Sequence, residues 1–409
     1  MTSTAANRHF WLLTLIAAAI LMVTMGSRQS IGLYLSPLNT STGLGIASIS
    51  FAMAIGQFSW GAVQPIAGAI ADKYGTGRVL AVGIILLAGG MAIVPLMSSS
   101  WGLILSIGLV SACGSGAGSF SVLIGAVAQR LPAEQRGIAS GVINAGGSLG
   151  QFVFAPLTQR LIVSFGWMNA MWTTAVIALM TLPLARALKS PPRKLASSGT
   201  VREQTLAAAI KQALADPSYL LLHAGFFTCG FHIAFLITHL PGEIQLCGLP
   251  GNVAGWSLAI IGLGNIVGSL GAGWGMTRAR GKYILFWMYA SRAMIVALYL
   301  LAPKTETTFY LFATGLGLTW LATVPPTAGI VGKLFGTRYL GTLFGLTLLS
   351  HQIGGFFGAW LGGLAMDATG NYQWMWYADI ALATLAALSN LPIKEAKVVR
   401  KAVEFAPAA

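Results

Sequence analysis

Ser190-Pro191-Pro192-Arg193-Lys194 lies inside the one long polar break of this chain, residues 187–217. On either side of it the sequence is apolar almost without relief. A bilayer core about 30 Å thick needs roughly 20 apolar helical residues to cross it. Six runs of that kind precede the break and six follow it. Spans 1 to 6 are read at 10–34, 46–70, 79–98, 101–128, 137–161 and 167–186. Spans 7 to 12 are read at 218–240, 253–276, 283–302, 307–332, 340–364 and 374–392. The remaining connections are short and carry Gly, Pro or a charge at the turn.

Composition agrees with that partition. Of the 409 residues, 56% are hydrophobic and 8% charged, and the mean hydropathy is +0.75. A soluble domain carries about 25% charged residues, so this chain cannot clothe a water-facing surface. Soluble enzyme, nucleic-acid binder and disordered protein are excluded. The fold class is an all-α membrane protein of twelve transmembrane helices. Its expected organisation is a six-helix bundle over 1–186, a cytoplasmic linker over 187–217, a second bundle over 218–393 and a cytoplasmic tail over 394–409. One Arg precedes the first apolar run and no small-residue cleavage site follows it, so that run reads as a retained span.

Three cysteines (Cys113, Cys229, Cys247) fall at no metal-ligand spacing, and their odd number argues against a disulfide framework. The glycine rows follow no strand, and no P-loop, paired cysteines or serine-centred elbow is present. No metal, cofactor or enzymatic activity is expected.

The formal net charge is +14. Its distribution explains it without nucleic acid. With a cytoplasmic N-terminus, cytoplasmic segments hold 20 of the 24 Lys and Arg residues, while Arg160 and Lys304 stand on the opposite side. Basic residues retained on the cytoplasmic side set topology. Both termini are therefore expected in the cytoplasm, and the membrane is expected to be a bacterial inner membrane.

The halves are related. Gly137, Gly141 and Gly150 recur as Gly341, Gly345 and Gly354, a constant offset of 204. The loop after span 2 reads Gly68-Ala-Ile-Ala-Asp72-Lys73-Tyr-Gly75-Thr-Gly-Arg78. That pattern resembles the signature of the major facilitator superfamily, whose two parallel six-helix repeats match the organisation above. The resemblance implies a pseudo-symmetric pair of bundles, with Asp72, Lys73 and Arg78 latching the cytoplasmic ends of neighbouring helices. The second-half counterpart, Gly273-Trp-Gly-Met-Thr277-Arg278-Ala-Arg280-Gly-Lys282, is degenerate.

Within the superfamily the chain most resembles bacterial members of the monocarboxylate and oxalate–formate transporter group. The stretches concerned are Arg28-Gln-Ser-Ile-Gly-Leu-Tyr-Leu-Ser-Pro37, Gly225 to Pro241 with His232 and His239, and His351 to Gly363. Animal members place an Asp and an Arg in span 8, where this chain reads Gly262-Leu-Gly-Asn265-Ile-Val-Gly268. Span 5 lacks the Gly-Pro pair of proton-driven drug exporters, which disfavours a multidrug role.

Ionisable groups at membrane depth are expensive, about 2.5–3.5 kcal/mol for a central Arg or Asp on the insertion scale. They therefore mark a wet cavity or a partner. Arg28, well into span 1, reads as a guanidinium fork for a carboxylate, or as a side chain snorkelling to the interface. Arg292, midway along span 9, reads equally as a second anion contact or a structural pair. With both in the cavity a dianion would fit best. His232 and the pair His351–Gln352 sit at the expected depth of the site. Gln57 and Asn265 are polar candidates in spans 2 and 8, each of which could equally bond a neighbouring helix. Pro325 and Pro326 in span 10 free backbone carbonyls and suit a gate or a simple kink. Asp379 is the one acid that enters a span, so the centre is expected to be positive and short of carboxylates.

The resulting expectation is a secondary transporter of a small organic anion working by alternating access. Coupling is by proton symport, with His232 and His351 as carriers, or by anion exchange. The expected partners are the anion, protons and the bilayer, with the protein acting as a monomer. The alternatives are an exporter of drugs or hydrophobic metabolites, including siderophore-like anions, and a membrane sensor without flux.

Overall fold

A computed structural model describes residues 3–128, 130–131, 133–189, 205–336 and 339–396. Among these there is no strand, and twelve spans cross in sequence order. Nine helical runs are long and apolar enough to cross a bilayer, and the run over 138–187 holds two of the spans. Its helix Ala133–Met180 turns at Gly166, whose φ of 79° is open to glycine at little cost. Spans 11 and 12 are the helices Leu340–Thr369 and Gln373–Asn390, which carry His351, Gln352 and Asp379. The linker's serine-proline stretch lies outside the described residues, as does the tail beyond 396. The described part of the linker contains a short helix, Leu206–Leu214, capped by the Thr205 hydroxyl accepting from the Ala208 N–H.

Two of the departures from straight helix border the centre. Span 4 runs through a π-helical stretch, Ile104–Ser111, before resuming as Ala112–Ala117. Span 10 is two helices, Glu306–Thr319 and Val324–Phe335. Pro325 and Pro326 stand in the first turn of the second, where a missing N–H costs nothing. The break therefore falls at 320–323, just before the prolines.

Among the described residues, close helix contact joins the halves at one end. Here the face bearing the chain termini is called the near face. Towards the far face, a Cβ at Gly32 would run into the Ile237 carbonyl oxygen of span 7. Span 8 lies on span 5, where a Cβ at Gly255 would be 3.1 Å from the Gln159 Cβ. Span 11 lies on span 2, with Gly363 against Ser50, and the Asp367 carboxylate accepts from the Ala47 N–H at 3.2 Å. That carboxylate sits at the start of the helix Ile46–Tyr74, where the helix dipole favours a negative charge. Towards the near face the same helices stand clear: a Cβ at Gly68, Gly141, Gly271 or Gly345 would meet nothing within 4 Å. The molecule is sealed at the far face and splayed at the near one.

Candidate functional site

The helix of span 1, Ser3–Gln29, stops one residue after Arg28, and the chain tightens into a 3₁₀ turn at Ile31–Tyr34. Arg28 thus occupies the last helical turn, where the carbonyl end of the dipole favours a cation. Its Nη2 donates to the Gln57 Oε1, and its guanidinium carbon lies 4.1 Å from the Trp60 ring centroid. Both partners belong to span 2. Beside the guanidinium is a small cavity lined by Ser27, Met53, Gln57, Ser111 and Ser115. The π-helical stretch of span 4 is what turns Ser111 toward it. Such bulges gather at functional sites. Among the described residues the acid–base pairs are His232–Asp379 and Lys333–Glu395, so no carboxylate balances Arg28.

Span 11 completes this junction from the other half. The Gln352 side chain lies against Gly61, and Gln57 faces Gly355. The Gln352 amide donates to the His351 Nδ1 at 3.1 Å, while the His351 Nε2 is buried without a partner. His351 is within electrostatic reach of both Arg28 and Arg292. The structure therefore brings Arg28, Gln57, His351 and Gln352 together where spans 1, 2 and 11 meet.

Two expected members are elsewhere. His232 and Arg292 are both 0% exposed and belong to a second cluster inside the C-terminal half. The His232 Nδ1 is 2.6 Å from the Asp379 Oδ2, and Asp379 is equally enclosed. The Arg292 Nη2 donates to the Thr319 carbonyl at 2.6 Å and the Trp320 carbonyl at 3.1 Å. Those are carbonyls that the break in span 10 releases, so Arg292 closes the gap the missing helix bonds leave. Arg292, read from sequence as either a second anion contact or a structural pair, bonds backbone carbonyls through its Nη2, and among the described residues no acid pairs with Arg28. Asp379, the one acid expected inside a span, pairs with His232 in this second cluster.

Asn265 is a tie between three helices. Its Nδ2 donates to the Ser148 Oγ at 2.8 Å, and its Oδ1 accepts from the Leu321 N–H at 2.9 Å and the Ser269 hydroxyl at 3.2 Å. These bonds use both lone pairs of Oδ1 and one of the two Nδ2 N–H groups. Asn265→Leu is expected to lower the melting temperature of the detergent-solubilised protein. It strands the N–H at the span 10 break, and an unsatisfied buried donor costs about 1–3 kcal/mol. An unchanged melting curve would refute the tie.

At the near face, Lys73 lies over the Tyr74 ring, 5.1 Å from its centroid, and Arg78 is exposed. The side chain of Asp72 lies outside the described residues. In the second half Arg278 stacks on Trp274 at 3.8 Å. The stronger near-face tie was not expected from sequence. Glu395, just beyond span 12, accepts from the Lys282 N–H at 2.7 Å and from the Lys333 Nζ at 2.6 Å. Glu395 follows Lys394 in an ordinary charged tail, and no spacing marks it. Asp379 did carry a signal, as the one acid inside an apolar run.

Comparison with known proteins follows the same lines. Residues 17–359 match the Major Facilitator Superfamily. Monocarboxylate transporter 13 of Rattus norvegicus is 27% identical over 88% of this chain and 83% of its own length. The oxalate:formate antiporter of Oxalobacter formigenes is 24% identical over 91% and 88%. The crystal structure of a D-xylose-proton symporter superposes with a TM-score of 0.76 at 15% identity, covering 95% of this chain and all of that one. The last likeness concerns the fold alone.

Proposed function

The chain belongs to the Major Facilitator Superfamily, and on that premise we propose that it carries a small organic monocarboxylate across a bacterial inner membrane by alternating access. The observation that carries this reading is Arg28. It is a guanidinium at the junction of the halves, steadied by Gln57 and Trp60 and balanced by no acid among the described residues. Arginine's planar fork matches a carboxylate in two bonds and remains charged at any physiological pH. A cavity with one free positive charge favours a monoanion over a dianion. Relatives named for monocarboxylates and for formate, the latter exchanged for the dicarboxylate oxalate, support a carboxylate cargo.

The bundles 1–186 and 218–393 serve as the two rocking bodies. The seal at the far face is one end of the cycle. The break in span 10, with Pro325 and Pro326 behind it, is a point where that helix can bend as the halves rock. Lys73, Arg78 and Asp72 tighten the near face in the opposite state, and Glu395 with Lys333 serves the second half. The placement of Lys and Arg supports cytoplasmic termini, so the state described opens inward. Coupling is by proton symport or by exchange of one anion for another.

The test is uptake by vesicles reconstituted with the full chain. Labelled pyruvate, lactate, formate and oxalate are compared with a cationic dye. Saturable uptake of a monocarboxylate that unlabelled monocarboxylates compete away is the expected result. Transport of the dye with indifference to every carboxylate would overturn the reading in favour of a drug exporter. The absence of any flux would favour a sensor.

A further inference from the structure

The cluster inside the C-terminal half does more than pack. His232, Asp379 and Arg292 are enclosed, yet four of their polar atoms have no partner: the His232 Nε2, the Asp379 Oδ1, and the Arg292 Nε and Nη1. Buried polar groups are normally satisfied. Four idle atoms on three ionisable side chains describe a cluster with more than one bonding arrangement. We propose that His232, Asp379 and Arg292 form a proton-binding site, distinct from the anion site at Arg28, and that its proton is the ion coupled to transport.

The surroundings define the site. From span 9, Arg292 is within electrostatic reach of His232, and Tyr289 lies under Arg292 with 5.4 Å between guanidinium carbon and ring centroid. From span 10 come the Trp320 ring, 5.9 Å from the His232 ring, and Thr323, bonded to the Cys229 thiol of span 7 at 3.4 Å. From span 11, His351 is within electrostatic reach of both arginines. Asp379 of span 12 is the one acid in contact with the imidazole. The neutral imidazole donates from Nδ1 to Asp379, and its Nε2 lone pair is idle. A proton leaves hydronium, whose O–H bond breaks, and forms an N–H bond at Nε2, making an imidazolium on the Asp379 carboxylate and releasing water.

Charge balance couples this proton to cargo. With the proton absent and the anion absent, Arg28 and Arg292 against Asp379 leave one net positive charge in the core. With both bound, the added imidazolium and the added carboxylate cancel, and the core again holds one. The proton alone would raise the buried charge to two units, a cost that the bound anion lowers. Each ligand therefore favours the other's binding, and the two cross together. Arg292 is the mechanical link. It holds the Thr319 and Trp320 carbonyls at the span 10 break, and its idle Nε and Nη1 stand ready for Asp379 when the imidazole gives up its proton.

The proton site stands on the geometry alone, whereas the coupling rests on the anion-transport reading above. The experiment separates them. Infrared difference spectra of the purified full-length protein, taken between about pH 5 and pH 8 where histidine titrates, should show one buried imidazole–carboxylate titration. It should be lost in His232→Gln and Asp379→Asn and kept in His223→Gln, whose ring is bonded to Ser350. Vesicles loaded with a trapped pH dye then report transport of labelled pyruvate. Wild type should accumulate it about tenfold per unit of acid-outside gradient and acidify the lumen as it does so. The two variants should keep counterflow of label against unlabelled pyruvate and lose the accumulation. Titration without any carboxylate transport would leave the proton site in place and remove the coupling. Persistence of the titration in both variants would overturn the site, as would accumulation by both at the wild-type level. If both variants fail to fold, wild-type vesicles decide: pyruvate movement that shifts no protons overturns the coupling.

Discussion

Arg28→Ala is expected to reduce carboxylate uptake at least a hundredfold while leaving the protein as stable as before, or more so. Each hydrogen bond to a charged partner is worth about 1.5–3 kcal/mol, and the fork offers a carboxylate two of them, so a loss of 10²-fold is a lower figure. The opposite sign for stability comes from the same fact. An uncompensated guanidinium in the membrane is held at a cost, and removing it relieves that cost while the anion loses its anchor. Arg28→Lys keeps the charge but not the planar fork, and is expected to lie between, about tenfold below wild type. Gln57→Ala frees the guanidinium without discharging it and should change apparent affinity more than maximal rate. Arg160→Ala, an exposed arginine on span 5, serves as the control. Uptake that survives in Arg28→Ala as it does in Arg160→Ala would remove the site assignment. A lowered melting temperature with lost uptake would assign Arg28 to packing instead.

The fold was legible because membrane insertion leaves few solutions. Backbone groups in lipid must bond within their own segment, so apolar runs of about 20 residues become helices whatever their other content. Span 12 was readable in this way although Asp379 makes it less apolar than its neighbours. Arg28 was legible for the same energetic reason, since a charge at depth demands an explanation. Partners were not. Sequence places Arg292 and Arg28 at comparable depths, but which helix face each occupies depends on packing between spans far apart in the chain. The separation of 27 positions between Arg292 and Thr319 gives no hint that one will hold the other's carbonyl. The break in span 10 was expected at the prolines and lies just ahead of them, because proline is accepted at a helix start and disrupts the residues before it. The π-helical stretch of span 4 has no sequence mark at all, and with it went Ser111. Asn265 looked like a site residue by depth and residue type. It proved to be a structural tie because its amide meets three groups at once.

Gly32→Val is expected to arrest the cycle with the far face open, and it tests the seal rather than the site. Gly32 lies in the turn that follows span 1, and any Cβ there would meet the Ile237 carbonyl oxygen, with the Thr238 carbonyl oxygen 2.9 Å away. The obstacle is backbone from the opposite half, which cannot rotate aside as a side chain can. Overpacking of this kind costs about 1–3 kcal/mol where neighbours yield, and here the simplest way to yield is for the halves to part. Two conformations of a transporter differ by only a few kcal/mol, so a cost of that size moves the population ten- to a hundredfold away from the sealed state. The reporter is Ser50, fully buried against Gly363 within the same seal. In a background without the three native cysteines, Ser50→Cys should resist a membrane-impermeant maleimide added from the far side. Adding Gly32→Val should make it react at least tenfold faster, while net pyruvate uptake falls to background. Binding at Arg28 should survive, because the mutated turn lies beyond the guanidinium. A Ser50→Cys thiol that stays protected in a protein that still transports would show that the Gly32 contact is not the seal.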